Sequence, residues 1–208
     1  MNITMTTLTA FRDQPTWYII GASGLAREMS QLARVVVPQW HGDLVLCDAD
    51  QEASIPEGAP TVMAIGHAGI RGRVFTRLRE KVTFLTLVHP RADVGDTTTV
   101  GEGTIITSGV VTTTDVTIGR GVLLNGNCTV GHDASVGDFC VLNPGVAISG
   151  GVTIGASVLV GTGACILEGL RVGDGATVGA GAVVTHDVGD GEVVVGAPAR
   201  PLRRKDTR

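Results

Sequence analysis

The sequence predicts a small α/β unit followed by a long parallel β-helix built from six-residue repeats. The main observation is an aliphatic column at a fixed spacing of six, which runs from Val94 to Val184 without insertion and departs from aliphatic character only at Thr112. A second column of small or aliphatic residues precedes it by two positions, from Val110 to Ala182. A period of six fits neither an α-helix nor an ordinary strand, but it fits a repeating short strand and tight turn.

Glycine follows the first column at many positions, and we expect these glycines to supply the positive φ of each turn. They are Gly95, Gly101, Gly119, Gly131, Gly137, Gly155, Gly161, Gly173 and Gly179, with Asn125 and Asn143 in the same place twice more. Three hexads make one triangular coil of eighteen residues, so both columns point inward and stack from coil to coil. The alternative, a β-sandwich rich in glycine and valine, would have an irregular period.

The region before the repeats, residues 15–90, alternates predicted strands and helices. Strands are predicted at Trp17–Ile20, Leu44–Cys47, Val62–Ile65 and Val82–Val88, with helices after the first and the third. This alternation predicts a small parallel sheet with Rossmann-like winding. Residues 1–14 form a Thr-rich leader that we expect to be frayed.

Polar residues and glycines lie at the predicted strand ends of this region. The first strand ends in Gly21-Ala22-Ser23-Gly24, which is either a tight connection or a site where helix-start amides hold a phosphate. Asp48 ends the second strand and is either a turn residue or a contact to a ribose or base. His67, after the third strand, faces the same mouth and is expected to be exposed.

Composition excludes several classes of partner. The formal charge of −4 argues against nucleic acid and anionic membranes. Neither a signal peptide nor a run long enough for a membrane span is visible. The four cysteines, at positions 47, 128, 140 and 165, form no CxxC motif or disulfide framework, so we expect core thiols in the cytoplasm and no metal site.

Residues eighteen apart should lie directly above one another, about 4.8 Å apart. His132 falls at an outward position, and the residues expected above it are Gly150, Glu168 and His186 in turn. Asp133 should likewise lie under Gly151, Gly169 and Asp187. His132 therefore has a glycine, and no side chain, immediately above it.

An exposed base beside open backbone amides is what acyl transfer to an amine or hydroxyl requires. His132 can take the acceptor's proton, and Asp133 can fix the imidazole tautomer. The alternative is that His132 is an ordinary surface histidine. The pair His186-Asp187 repeats the motif but lacks a glycine above it, so we expect no catalytic role there.

Proline and basic residues end the repeats. The pair His89-Pro90 is expected to cap the open end of the β-helix, which should span residues 91–190. In the tail, residues 191–208, Pro198 and Pro201 stop further winding. The basic run from Arg203 to Lys205 is either a solubilising terminus or a phosphate contact.

Several motifs together resemble one bacterial family, the sialic acid O-acetyltransferases and the N-acetyltransferases of UDP-4-amino sugars and perosamine. The similarity covers nearly the whole chain from Trp17. The motifs are Gly21-Ala22-Ser23-Gly24 with Arg27-Glu28, Asp48, Ala64-Ile65-Gly66 with Arg71, His89-Pro90, Asn125 to Asp133, Val136-Gly137-Asp138-Phe139, Pro144-Gly145, Ile148-Ser149-Gly150 and Val195 to Arg200.

The resemblance implies a left-handed β-helix, acetyl-CoA as donor, and a homotrimer with the donor groove between neighbouring β-helices. His132 matches the family's catalytic base and Asp133 its acidic partner. The residues implied on the donor side are Gly150, whose amide contacts the thioester carbonyl, with Gly151 and Arg200. Those implied in the nucleotide-sugar pocket are Gly21, Ser23, Gly24 and Asp48.

Two positions depart from the family pattern: Leu25 replaces a histidine on the acceptor side, and Val141 replaces one that touches acetyl-CoA in some members. The unbroken register leaves no room for a loop that could wall the acceptor site, so the N-terminal domain must do so. We therefore expect an acetyl-CoA-dependent N-acetyltransferase of a nucleotide-activated amino sugar. The alternatives are an O-acetyltransferase of a free sugar or secondary metabolite, and a non-catalytic sugar-nucleotide-binding scaffold.

Overall fold

The computed structural model describes residues 13–21 and 23–202. Most of the predicted leader, Ala22 and the basic run after Leu202 therefore lie outside the described residues. The described chain consists of a small α/β unit and a parallel β-solenoid.

The N-terminal unit is a four-stranded parallel sheet with strand order β2-β1-β3-β4. Its elements are β1 (Thr16–Ile20), α1 (Gly24–Val36), β2 (Asp43–Cys47), a 3₁₀ turn (Glu52–Ser54), β3 (Pro60–Met63), α2 (Ala68–Leu78) and β4 (Thr83–Phe84). Strand β1 is central because its apolar residues, such as Trp17 and Ile19, are fully buried. With two helices on four strands, the structure shows a small parallel α/β unit, and Rossmann-like winding stays a prediction.

The predicted fourth strand is divided between the two parts of the molecule. Thr83–Phe84 pairs with β3, whereas β5 (Leu87–Val88) pairs with Ile105–Ile106 of the solenoid. The third strand also begins two residues earlier than predicted.

The solenoid strands after β5 are two residues long and six residues apart. They are β6 (Asp93–Val94), β7 (Thr99–Val100), β8 (Ile105–Ile106), β9 (Val111–Thr112), β10 (Thr117–Ile118), β11 (Leu123–Leu124), β12 (Thr129–Val130), β13 (Ser135–Val136), β14 (Val141–Leu142), β15 (Ala147–Ile148), β16 (Thr153–Ile154), β17 (Leu159–Val160), β18 (Cys165–Ile166), β19 (Arg171–Val172), β20 (Thr177–Val178) and β21 (Val183–Val184), followed by β22 (Val193–Val195) and β23 (Arg200–Pro201). Together with β5, they form three parallel faces of five, eight and six strands. Among these described strands only β23 runs antiparallel to its neighbour.

Both inward columns form the solenoid core, as predicted, and nearly all of their members from Ile106 to Val184 are buried. Each buried aliphatic side chain contributes about 1.5–3 kcal/mol, so the stack supplies most of the stability. Thr112, the exception in the first column, is buried together with Thr98, and their hydroxyl oxygens lie 2.8 Å apart. A buried hydroxyl is tolerated here because it has a partner.

The glycines directly after the first column do not supply the positive φ of the turns, so this prediction is wrong. Positive φ occurs three positions after the first column, from Gly103 to Gly181, and includes non-glycine residues such as Asp133 and Phe139. The glycines directly after the column are needed for close approach instead. A Cβ at Gly137 would lie 2.6 Å from the backbone of the next coil at Gly155.

The last coil is two residues shorter than predicted. Val172 bridges to Val188, and β22 pairs with β20 at the same reduced offset. Asp187 consequently does not stack above Gly169, because its carboxylate accepts the N–H of Arg171 at 2.8 Å. The predicted placement of Asp187 is therefore wrong. Val183 and Val184 still pair with the residues eighteen positions earlier, so the place of His186 above Glu168 stays a prediction.

The N-terminal unit packs on the eight-stranded face of the solenoid. The outward residues Leu87, Ile105, Leu123 and Val141 are all buried in one cluster with Trp17, Met29 and Leu32 of the α/β unit. Val141, the position where some relatives carry a second histidine, is thus covered by this chain's own N-terminal unit.

Arg71 of α2 joins the two parts and is completely buried. Its guanidinium donates to the carbonyls of Met63 (2.8 Å) and Ile65 (3.0 Å) at the end of β3, and to Gly121 and Val122 of the solenoid. Burial lowers the pKa of Arg71 to about 9, so the group still carries its charge at neutral pH.

Candidate functional site

The site centres on one edge of the solenoid, the histidine corner, which we define as Thr114, His132, Gly150 and Glu168 with the residue after each. At this corner His132 Nδ1 lies 2.8 Å from Asp133 Oδ2. Both side chains are well exposed, at 62% and 67%. Asp133 adopts a positive φ of 59°, which aspartate tolerates and which turns its carboxylate back to the imidazole.

This pairing has an electrostatic effect. The hydrogen bond to Asp133 is the main cause that raises the pKa of His132 above its usual value, and the charges of Asp133 and Glu168 add to it. A stronger base results, which is deprotonated only at a higher pH. Because Nδ1 faces Asp133, Nε2 is the nitrogen left to exchange protons with a substrate.

Gly150 lies directly against the imidazole, one coil above His132. A Cβ at this position would lie 2.5 Å from both Cε1 and Nε2 of His132, so only glycine leaves the ring in place. Gly150 itself is buried under the ring, whereas Gly151 is exposed. The glycine expected to lie open above His132 is thus partly covered by the imidazole ring.

The Gly150 N–H donates to no acceptor within residues 13–21 and 23–202. Gly131 helps to keep it open, since a Cβ there would lie 2.7 Å from the Gly150 nitrogen. Buried amides are rarely unpaired, so this N–H is available for a ligand oxygen. The sequence interpretation counted Gly131 only as a turn glycine and missed this contribution.

Gly151 contributes space and not a free amide. Its N–H already donates to His132 O at 2.7 Å as part of the coil-to-coil ladder, and its φ is 65°. It cannot supply a second free amide, but the absence of a side chain keeps the space beside Asp133 open.

A second edge, the carboxylate corner, comprises Glu102, Arg120, Asp138, Ala156 and Asp174. Here the corresponding turn amides are capped by the coil above: Asp138 Oδ1 accepts Arg120 N–H at 2.7 Å, and Asp174 Oδ1 accepts Ala156 N–H at 2.8 Å. Asp138 also pairs with the Arg120 guanidinium at 2.6 Å. Such caps are absent from the histidine corner. The N–H groups of Glu102 and Asp138 also donate to no acceptor in the described part of the chain, so what sets the Gly150 amide apart is its position against His132.

The predicted acceptor-side residues lie at one end of the N-terminal sheet. Gly21 has a φ of 131°, and a Cβ there would collide with the carbonyl of Ala64. Ser23 precedes α1 but makes no capping hydrogen bond, so its hydroxyl is free for a ligand. A Cβ at Gly24 would meet only Arg27 Nη2 at 3.7 Å, and Leu25 lies over Gly66 at the same mouth.

Asp48 and His67 both have local structural roles. Asp48 Oδ1 accepts the N–H groups of Asp50 and Gln51, each at 3.1 Å. Asp48 is therefore a turn residue, which is one of the two roles that the sequence suggested. His67 is exposed, as predicted, and its Nδ1 accepts Ile70 N–H at 3.4 Å at the start of α2.

Arg200 lies in β23, at the C-terminal end of the solenoid. It lines a cavity of about 300 Å³ together with His186, Asp187 and Glu192. Its Nη1 donates to Ala199 O at 2.8 Å. His186 bonds to Thr185, not to an acid, so the two histidine-acid pairs of the sequence are not equivalent.

The other features of the described chain are structural. Burial raises the pKa of Cys128 to about 11 and that of Cys140 to about 12, so neither is a reactive thiol. Among the residues that the structure covers, no group of three or more His, Cys, Asp or Glu could hold a metal. No helix in the same part of the chain is long and apolar enough to cross a membrane.

Comparison with solved structures gives close relatives over nearly the whole chain. Perosamine N-acetyltransferase from Caulobacter crescentus, solved with CoA and GDP-perosamine, has a TM-score of 0.84 and 27% identity, and covers 91% of this chain and 97% of its own. The acetyltransferase domain of PglB from Neisseria gonorrhoeae, solved with acetyl coenzyme A, has a TM-score of 0.83 and 29% identity, covering 90% and 99%. WeeI from Acinetobacter baumannii has a TM-score of 0.80 and 28% identity, and it covers 90% of this chain and 99% of its own.

No protein-family model and no curated protein sequence matches the chain. The solved structures nevertheless include the perosamine enzyme named in the sequence resemblance, among them variants in which one of its histidines is replaced. Together with the hexapeptide motifs and the solenoid, they confirm the predicted resemblance: over nearly its whole length this chain is similar to hexapeptide-repeat sugar acetyltransferases.

Proposed function

We propose that this protein transfers the acetyl group of acetyl-CoA to the amino group of a nucleotide-activated sugar. The observation that carries the proposal is His132, bonded to Asp133 at 2.8 Å and facing a glycine whose amide has no partner. The similar perosamine enzyme, solved with CoA and a GDP-linked amino sugar, supports the donor and the class of acceptor.

In the proposed mechanism, His132 Nε2 takes a proton from the acceptor nitrogen as that nitrogen attacks the thioester carbon. The C–N bond forms while negative charge develops on the carbonyl oxygen, to which the Gly150 N–H donates. The C–S bond then breaks, and the imidazolium returns its proton to the departing thiolate. Asp133 holds the ring in the tautomer with Nε2 free and stabilises the imidazolium.

The donor groove is proposed to lie between the left-handed solenoids of a homotrimer. His132 and Asp133 are too exposed in one chain to exclude water. Arg200, at the end of the solenoid, is assigned to the far end of an extended donor. Light scattering should give the mass of three chains, and a monomer would contradict an intersubunit site.

The acceptor is proposed to bind at the mouth formed by Gly21, Ser23 and Gly24, with Asp48 reading the ribose or base. Amides at the start of α1 and the free Ser23 hydroxyl suit a phosphate. Residues 15–90 would act as the nucleotide-sugar domain, residues 91–190 as the acetyltransferase domain, and the setting would be the cytoplasm.

The test is calorimetry of UDP, GDP and dTDP without acetyl-CoA, followed by acetylation assays with their 4-amino sugars. Gly24→Val should weaken nucleotide binding without unfolding, because the added Cβ meets only Arg27. Acetyl-CoA affinity should not change. An enzyme that binds no nucleotide and acetylates a free sugar or alcohol would contradict the proposal and establish O-acetylation.

A further inference from the structure

Glu168 stands two coils above His132 on the histidine corner. The hydrogen bonds Gly151 N–H to His132 O (2.7 Å) and Gly169 N–H to Gly150 O (2.9 Å) fix this alignment. Two coils separate their backbones by about 9.6 Å. The intervening residue is Gly150, so no side chain stands between the base and the carboxylate.

Glu168 lacks the structural role of its counterparts on the carboxylate corner. Asp138 and Asp174 each cap the amide one coil below, but Glu168 leaves the Gly150 N–H open. Its exposed carboxylate makes no hydrogen bond or ion pair within the described part of the chain. Stability of the coil therefore does not explain an acid at this position.

The charge of Glu168 acts on the same space as Asp133. Both carboxylates are near enough to raise the pKa of His132, and the histidine corner as defined contains no Lys or Arg. The electrostatic potential in the space between His132 and Glu168 is thus negative while His132 is neutral. A primary amine arrives largely as an ammonium ion at neutral pH, whereas a hydroxyl carries no charge.

We propose that Glu168 is a positioning residue that holds the acceptor's amino group beside His132, so that the enzyme selects amines over hydroxyls. The proposal rests on the proposed function. The bound ammonium releases one proton to solvent, the neutral amine attacks the thioester carbon, His132 takes the second proton and passes it to the leaving thiolate. Glu168 thereby acts on binding of the acceptor more than on the chemical step.

The test is Glu168→Gln, which removes the charge and keeps the shape. With the amino-sugar nucleotide that the wild type acetylates best, KM should rise roughly five- to tenfold, as for loss of a partly exposed charged hydrogen bond. The KM for acetyl-CoA should stay unchanged. The wild-type acceptor KM should increase with salt more steeply than that of the variant, because salt screens the ion pair.

Glu102→Gln is the matched control, since Glu102 is also exposed and occupies the equivalent position on the carboxylate corner. It should leave both KM values unchanged. A second readout is the ratio of kcat/KM for the amine to that for the same sugar nucleotide with a hydroxyl in place of the amine, which should fall in Glu168→Gln alone.

Three results would overturn the proposal: an unchanged acceptor KM in Glu168→Gln, an equal change in Glu102→Gln, or a change confined to acetyl-CoA. These results are distinct from failure of the proposed function. In that case the wild type itself would acetylate none of the amino-sugar nucleotides, and no acceptor KM could be measured.

Discussion

The carboxylate corner and the histidine corner repeat the same turn, but only on the carboxylate corner do side chains of the coil above cap turn amides. On the carboxylate corner, Asp138 and Asp174 satisfy the amides of the coil below. On the histidine corner, the Gly150 amide is left without a partner beside His132. At the proposed site, the repeat fold thus omits a capping contact that it uses at another edge.

The largest effect is expected from His132→Ala, which removes the base from the histidine corner. The kcat should fall by about 10²- to 10⁴-fold while acetyl-CoA still binds, as measured by steady-state kinetics and calorimetry. His186→Ala is the control and should retain wild-type kcat, because His186 has no acidic partner. Similar losses in both variants would mean that the base is misassigned.

A smaller loss is expected when the open amide is obstructed. The Gly150→Ala Cβ would lie 2.5 Å from the imidazole, so ring and donor carbonyl must shift. We expect kcat/KM to fall about tenfold or more, because the amide no longer meets the oxyanion.

Gly126→Ala is the matched control for Gly150→Ala. The third edge of the solenoid has Ser108, Gly126 and Pro144 at the equivalent turn position. A Cβ at Gly126 would meet only Ser108 O, at 3.8 Å. Normal kinetics in both variants would place the donor elsewhere.

The pH profile tests the role of Asp133. The wild-type kcat/KM should rise with pH through the raised pKa of His132, since only the neutral imidazole accepts a proton. In Asp133→Asn this pKa should fall, moving the rise to lower pH. The plateau should also drop, by roughly tenfold, through loss of the favoured tautomer. A profile with an unmoved midpoint would remove Asp133 from the site.

The smallest effect, and one on stability alone, is expected on the carboxylate corner. Asp138→Ala should lower the free energy of unfolding by about 1–2 kcal/mol through loss of the cap and the Arg120 pair, with kinetics unchanged. Burial raises the pKa of Asp138, but the bonds from Arg120 outweigh it and lower the pKa overall. This contribution is therefore present at neutral pH and is lost as pH falls through the folded-state pKa. Urea unfolding at several pH values measures it, and an equal difference in acid would refute it.

Much of the solenoid was predictable because its core repeats without variation. The inward columns follow directly from a period of six, and the alignment of Gly150 with His132 follows from a coil of eighteen. The short last coil was not predicted because the column with a spacing of six ends at Val184. The spacing from Val184 to Val188, and then to Val194, carries the signal of a two-residue deletion.

Other features depend on three-dimensional contacts that one sequence does not display. The glycine after each column residue signals close backbone approach, which looks the same in sequence as a need for positive φ. Burial of Val141 depends on where the N-terminal unit packs. The motif position of Arg71 was recognised, but its backbone partners lie about fifty residues away along the chain.

The contacts of Arg71 also bear on how such enzymes can diversify. Its solenoid partners are main-chain carbonyls, which any hexapeptide coil presents at that level whatever its side chains. Side chains of the coil can therefore be exchanged without loosening the anchor. Whole coils of eighteen residues could be added or deleted beyond Ile166, lengthening or shortening the surface of the proposed donor groove, while the anchored N-terminal unit keeps its position. Insertion of one coil there, with the anchor and His132 unchanged, gives a direct way to vary the two halves of the enzyme independently.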